Sequence, residues 1–156
     1  MKRIILTMAL GLSLFGCQSE ESELLAANDG PVAVEFTQIG KNEMMGAENV
    51  PEANLVIDNA EDWNTLKAQM DQFNQYTSGF DETEIDFSLY RVIAVIDEVR
   101  MYGGYSIDVV SVSNDRDRIV VDVERSEGGP GAGATVITQP FHIVKIPVSD
   151  LPVVFE

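Results

Sequence analysis

His142 is the one histidine and Cys17 the one cysteine among 156 residues, so any chemistry that needs either has a single seat. A Ser-His-Asp triad would have to use His142, and no serine stands in a G-x-S-x-G setting. His142 falls within a predicted strand and reads as a structural residue. Zinc sites need several Cys or His ligands, which are absent. Acid pairs such as Glu82/Glu84 and Asp97/Glu98 say little in a chain with 26 Asp and Glu, and nothing favours a glycosidase pair among them. Asn114-Asp115-Arg116-Asp117 lacks the glycine and the distant glutamate of an EF-hand loop, so it reads as a hairpin turn. The run Gly128-Gly129-Pro130-Gly131-Ala132-Gly133 is followed by neither Lys-Ser/Thr nor a helix, which argues against a phosphate cradle. The expectation is a protein without catalytic residues, metal or cofactor.

The N-terminus carries a different signal. Lys2 and Arg3 precede an uncharged apolar stretch, Ile4 to Phe15, too short for the roughly 20 residues that span a bilayer. It ends in Leu14-Phe15-Gly16-Cys17, which resembles the lipobox of bacterial lipoproteins. The resemblance implies a signal peptide over residues 1–16 and a diacylated Cys17 as the first mature residue. An ordinary secretory signal with a free thiol is the alternative. A lone cysteine has no disulfide partner within the chain, which favours the anchor. Residues 17–30 are polar and acidic and read as a flexible tether. Their outline is similar to the short acidic signals that send some lipoproteins to the cell surface. The expected location is the bacterial cell envelope, on the outer membrane, held through Cys17.

Charge narrows the partners. The chain has 10 Lys and Arg against 26 Asp and Glu, a net charge of −16. Lys2 and Arg3 belong to the signal, so the remainder holds 8 basic residues against 26 acidic ones, a net −18. Such a surface is repelled by nucleic acid and by anionic headgroups. The acyl chain, not surface charge, would hold the protein at a membrane. Residues 31–156 suffice for one domain with its own core.

Within that domain, Val32 to Ile39 alternates apolar with small or polar residues, as a half-buried strand does. Gly40 to Glu52 reads as a loop, with Gly46 and Pro51 as breakers and Met44 and Met45 covering the core. Asn54 to Asp58 is a short strand. Asn59 is a predicted N-cap with Glu61 and Asp62 in the first turn, and Trp63, Leu66, Met70 and Phe73 form one apolar stripe of a helix that stops before Gly79. Val92 to Ile96 is apolar throughout, as a strand covered on both faces would be. Tyr105 to Ser113 and Ile119 to Glu124 form a hairpin, and two short strands, Thr135 to Thr138 and Phe141 to Ile146, flank Pro140. The pattern predicts a mainly β (α+β) fold, an antiparallel β-sandwich or half-barrel with one packed α-helix.

Three segments carry a further resemblance: Gly103-Gly104-Tyr105-Ser106-Ile107, Gly129-Pro130-Gly131, and Thr138 to Pro147 with Gln139-Pro140-Phe141 near its start. With Trp63 and Ile85-Asp86-Phe87-Ser88 upstream, they resemble the C-terminal domain of the protease complex subunit PrcB family over about Asp58 to Pro147. Members often have a threonine before the paired glycines, where this chain has Met101-Tyr102. The resemblance implies a lipoprotein that binds or stabilises an envelope protease without catalysing anything. Gly103, Gly104, Tyr105, Pro130, Gly131, Pro140 and Phe141 would then shape a contact rim built from loops on a β scaffold. The order of these segments also resembles the three loops of chagasin-like protease inhibitors, with Gln139 in place of an arginine. Direct protease inhibition is thus one alternative. A structural or carbohydrate-binding surface protein, requiring an exposed Trp63 or Tyr102, is another.

Overall fold

The computed structural model describes residues 30–127 and 136–156. In chain order it forms β1 (Val32–Ala33), β2 (Thr37–Met44), β3 (Ala53–Ile57), α1 (Ala60–Met70), a 3-10 turn (Tyr76–Gly79), β4 (Tyr90–Ile96), β5 (Ser106–Asp115), β6 (Arg118–Ser126), β7 (Gln139–Pro147) and β8 (Val153–Phe155). The signal segment 1–16, Cys17, the tether up to Asp29 and the glycine run Gly128–Gly133 lie outside the described residues.

Two four-stranded sheets result, one in the order β1-β5-β6-β8 and one in the order β2-β7-β4-β3. All pairs are antiparallel except β6 with β8. The second sheet lies in the middle of three layers. Ile93, Val95, Val144 and Ile146 on one face meet Ile107, Val109, Val112, Ile119 and Val121 of the first sheet. On its other face Val92, Ala94, Ile96, Phe141 and Ile143 meet Trp63, Leu66 and Met70 of α1. Successive side chains of a strand point to opposite faces, so β4 must be apolar at every position from Val92 to Ile96. Each such buried aliphatic side chain contributes about 1.5–3 kcal/mol by leaving water.

The helix begins as its sequence predicts. The Asn59 side chain accepts a hydrogen bond from the Asp62 N–H at 2.9 Å, relieving one of the first-turn donors that has no helical partner. Trp63 is 2% exposed. Its indole N–H donates to the Thr83 carbonyl at 2.9 Å, and its ring stacks on Phe80 with centroids 6.0 Å apart.

Several boundaries differ from the sequence expectation. The strand expected over Val32 to Ile39 is split, because β1 pairs with β5 in one sheet and β2 with β7 in the other. Val34 and Phe36, between them, pack into the inter-sheet core, so alternation persists while the hydrogen-bonding partner changes. Gly40 to Met44, expected as loop, extends β2. Gly40 is buried where a Cβ would collide with the Phe80 ring, so this glycine permits a close approach and marks no turn. Met44 is buried, but Met45 is exposed. The helix ends at Met70, and Phe73 is 61% exposed beyond it. The expected turn over Asn114 to Asp117 narrows, since Asn114 and Asp115 remain in β5 and Arg116 takes the left-handed conformation. Pro140 lies inside β7, which takes in the strand expected over Phe141 to Ile146. Of the strand expected over Thr135 to Thr138, Thr138 forms only an isolated bridge to Arg100, Val136 and Ile137 are irregular, and Thr135 lies outside the described residues.

Candidate functional site

The antiparallel order places at one end of the molecule residues 45–52 between β2 and β3, residues 97–105 between β4 and β5, and the described ends, 127 and 136–138, of the stretch between β6 and β7. The described parts of these loops touch. Arg100 and Thr138 exchange backbone hydrogen bonds at 2.7 and 2.9 Å, and the Thr138 hydroxyl donates to the Tyr102 carbonyl at 3.1 Å. Gly46, with φ +73, lies against Val99 and Ile137, leaving no room for a side chain.

A buried carboxylate ties the loops to the sheets. Asp97 is almost fully buried and receives two hydrogen bonds from the Arg100 guanidinium, at 3.0 and 3.2 Å. The Arg125 Nε of β6 is 3.4 Å away. Arg100 also pairs with Glu98 at 2.7 Å and lies 4.7 Å above the Tyr105 ring. Burial works against the Arg100 charge, but Asp97 and Glu98 outweigh it and hold its pKa above the ordinary arginine value. A buried charge needs partners of this kind to persist.

This end exposes a set of apolar side chains beside Glu52 and Glu98. Met45, Val99, Met101, Tyr102, Val136 and Ile137 are all exposed, Met101 at 61% and Tyr102 at 55%. Solvent-facing apolar groups gathered in one place mark an interaction surface.

The residues expected to form a rim fall into three groups. Gly103, half-buried near Val136, and Gly104, with φ +90, shape the entry to β5. Tyr105, Pro140 and Phe141 meet in one cleft of about 340 Å³, shared with Lys41, Asn42 and Glu43 of β2. Phe141 is 2% exposed and Pro140 is buried, so their side chains support this end from beneath and offer it little surface. Pro130 and Gly131 lie outside the described residues. Sequence reading placed Met45 over the core, Met101 at a departure from the family pattern and Val136 and Ile137 in a strand, and gave neither these nor Val99 a place on the rim. Apolar residues within otherwise polar loops were the available signal. Trp63, as a core residue, presents no face for stacking on a sugar.

His142 is buried in β7 and accepts the Val109 N–H on Nδ1 at 3.0 Å, next to an irregularity in the β5–β6 pairing between Val109 and Ser111. Burial and Lys41 push its pKa below the ordinary value, against the opposing pull of Asp108. This is a structural contact between the sheets. Among the described residues no group of three or more His, Cys, Asp or Glu is placed to hold a metal ion.

Fold and site together define a two-sheet β domain with a helix on one sheet and a cluster of apolar loops at one end. Residues 91–147, from β4 through β7, match the family model described as PrcB C-terminal and carry that domain. The match begins downstream of Trp63 and of Ile85 to Ser88, so the resemblance read from Asp58 onward is matched from Arg91 onward. The comparisons with curated proteins and with solved structures found no match.

Proposed function

We propose that this protein is a non-catalytic lipoprotein of the bacterial envelope whose β domain binds a partner protein, as accessory or stabilising subunit of an envelope protease. The observation that carries the binding role is the exposed apolar set Met45, Val99, Met101, Tyr102, Val136 and Ile137 on loops at one end. The PrcB C-terminal match over residues 91–147 supports a protease as the partner. The lipobox-like Leu14-Phe15-Gly16-Cys17 supports attachment to a membrane through an acylated Cys17.

Affinity capture from the native envelope, with the full-length protein as bait, tests the binding role. The control is a Met101→Glu, Tyr102→Ser double variant with an unchanged melting temperature. A protease retained by the first bait and lost by the second is the expected result. Retention of no protease, or equal retention by both baits, defeats the proposal. For the anchor, labelled fatty acid should enter the wild type and not a Cys17→Ser variant.

A further inference from the structure

β3 is an outermost strand of its sheet, and no strand pairs with its outer side among the described residues. Its free groups can be assigned from the register. The Asp97 N–H donates to Pro140 at 2.9 Å, so odd-numbered residues at this end of β4 turn their backbone groups to β7 and even-numbered ones turn theirs to β3. Val92, Ala94 and Ile96 pair with Ile57, Leu55 and Ala53. Asn54 and Val56 therefore point their N–H and C=O outward. The opposite edge of the same sheet is better defended: Asp81 N–H donates to the Ile39 carbonyl, and the Asn42 side chain takes the Glu43 N–H, both at 2.8 Å.

Beside the β3 edge runs a groove of about 290 Å³ between β3 and α1. Its apolar lining includes Val50, Leu55, Ile57 and Leu66, and Asp62 and Gln69 stand on the helix side. Four exposed carboxylates surround it: Glu52 and Asp58 at the two ends of β3, and Glu61 and Asp62 in the first turn of α1. Arg91 binds Asp58, and Arg125 lies 3.8 Å from Glu52. We propose that this edge accepts an extended, lysine- or arginine-bearing segment of another protein as a fifth strand. Outward N–H and C=O groups of Asn54 and Val56 would bond its backbone, and alternate side chains would enter the groove. Charge selects the occupant. Glu52 and Asp58 are already matched by Arg125 and Arg91, so the excess negative charge beside the groove lies on Glu61 and Asp62, which a basic strand offsets and a second, equally acidic copy of this chain does not.

The test titrates the full-length protein with a labelled peptide of alternating valine and lysine, and with a second peptide carrying glutamate for lysine. Amide exchange followed by NMR locates the contact. The expected result is binding of the lysine peptide alone, with slowed exchange at Asn54 and Val56 and no change at Leu55 and Ile57, which already bond to β4. Glu61→Lys should weaken binding about three-fold, as the loss of exposed ion pairs does. Asn54→Pro, at an exposed position whose N–H points outward, should weaken it about ten-fold, in a variant whose melting curve shows it folded. Equal binding of both peptides, protection elsewhere, or self-association that protects Asn54 and Val56 without peptide would overturn the proposal.

Discussion

Gln139 donates from its side-chain amide to the backbone carbonyl of Asp97 at 3.0 Å, where Pro140 has no N–H to offer. The Asp97 N–H reaches the Pro140 carbonyl, and an antiparallel pair of this kind would ordinarily exchange two bonds. Proline breaks the exchange, and the neighbouring glutamine completes it while also bonding the Val50 carbonyl at 2.8 Å. A proline thus sits inside a strand flanked on both sides, a place it rarely occupies.

Gln139→Leu should therefore cost about 2 kcal/mol, because two buried carbonyls lose their donor. In a Pro140→Ala background the alanine N–H can serve Asp97, and the cost of Gln139→Leu should fall by about 1 kcal/mol. Urea denaturation of the four chains measures this coupling. Strict additivity would refute the substitution of one donor for the other.

Asp97→Ala should destabilise the fold by about 3 kcal/mol, since it removes the buried carboxylate that takes two hydrogen bonds from Arg100 and leaves that guanidinium only the exposed Glu98. The backbone around Arg100 to Tyr105 should also exchange its amides faster than the centre of β4. A variant with unchanged exchange there would show that the ion cluster does not hold the loop.

His142 gives the stability a pH dependence of definite sign. Its folded pKa lies below the ordinary 6.5, through burial and Lys41, with Asp108 opposing. Above pH 6.5 neither the folded nor the unfolded state binds the proton. As pH falls below 6.5 the unfolded chain takes it up first, so stability declines, by at most about 1.4 kcal/mol per pH unit, until the folded pKa is reached. Asp108, held below its ordinary 3.8 against the effect of burial by Lys41, loses its contribution only at lower pH. His142→Gln should flatten the decline just below pH 6.5 and leave the one near pH 3.8. Chemical denaturation at a series of pH values distinguishes them.

Gly40→Ala should cost about 1–3 kcal/mol by overpacking, because the new methyl group meets the Phe80 ring. Phe80→Leu in the same chain should cancel much of that conflict, so the double variant should be more stable than the sum of the single losses implies. An additive pair would place the conflict elsewhere. Phe80 lies between Trp63 and Phe141, 6.0 and 6.1 Å from their rings, so the same contact links the helix to the strand beneath the loop end.

Much of the architecture was legible because it depends on local periodicity. Uniform apolarity from Val92 to Ile96 required a strand covered twice, and Asn59 with Glu61 and Asp62 required a helix start. Phe73 shows where periodicity misleads, since it continues the stripe of Trp63, Leu66 and Met70 after the helix has ended. Gly40 shows the same for composition: it read as the start of a loop, while its role is to admit a ring from a segment forty residues away in the chain.

The sequence alone determined the mainly β class, the helix that follows Asn59 and its cap, the hairpin of β5 and β6, and the resemblance that the family match over residues 91–147 bears out. Those properties follow from residue type and near-neighbour spacing. Tertiary structure alone decided that Val34 and Phe36 lie where the chain crosses from one sheet to the other, and that Gln139 stands in for the missing donor of Pro140. It also brought Met45, Val99, Met101, Tyr102 and Ile137 to one surface. These are contacts between residues distant in the chain, set by which strands pair and in what register, and nothing in the local pattern encodes that choice.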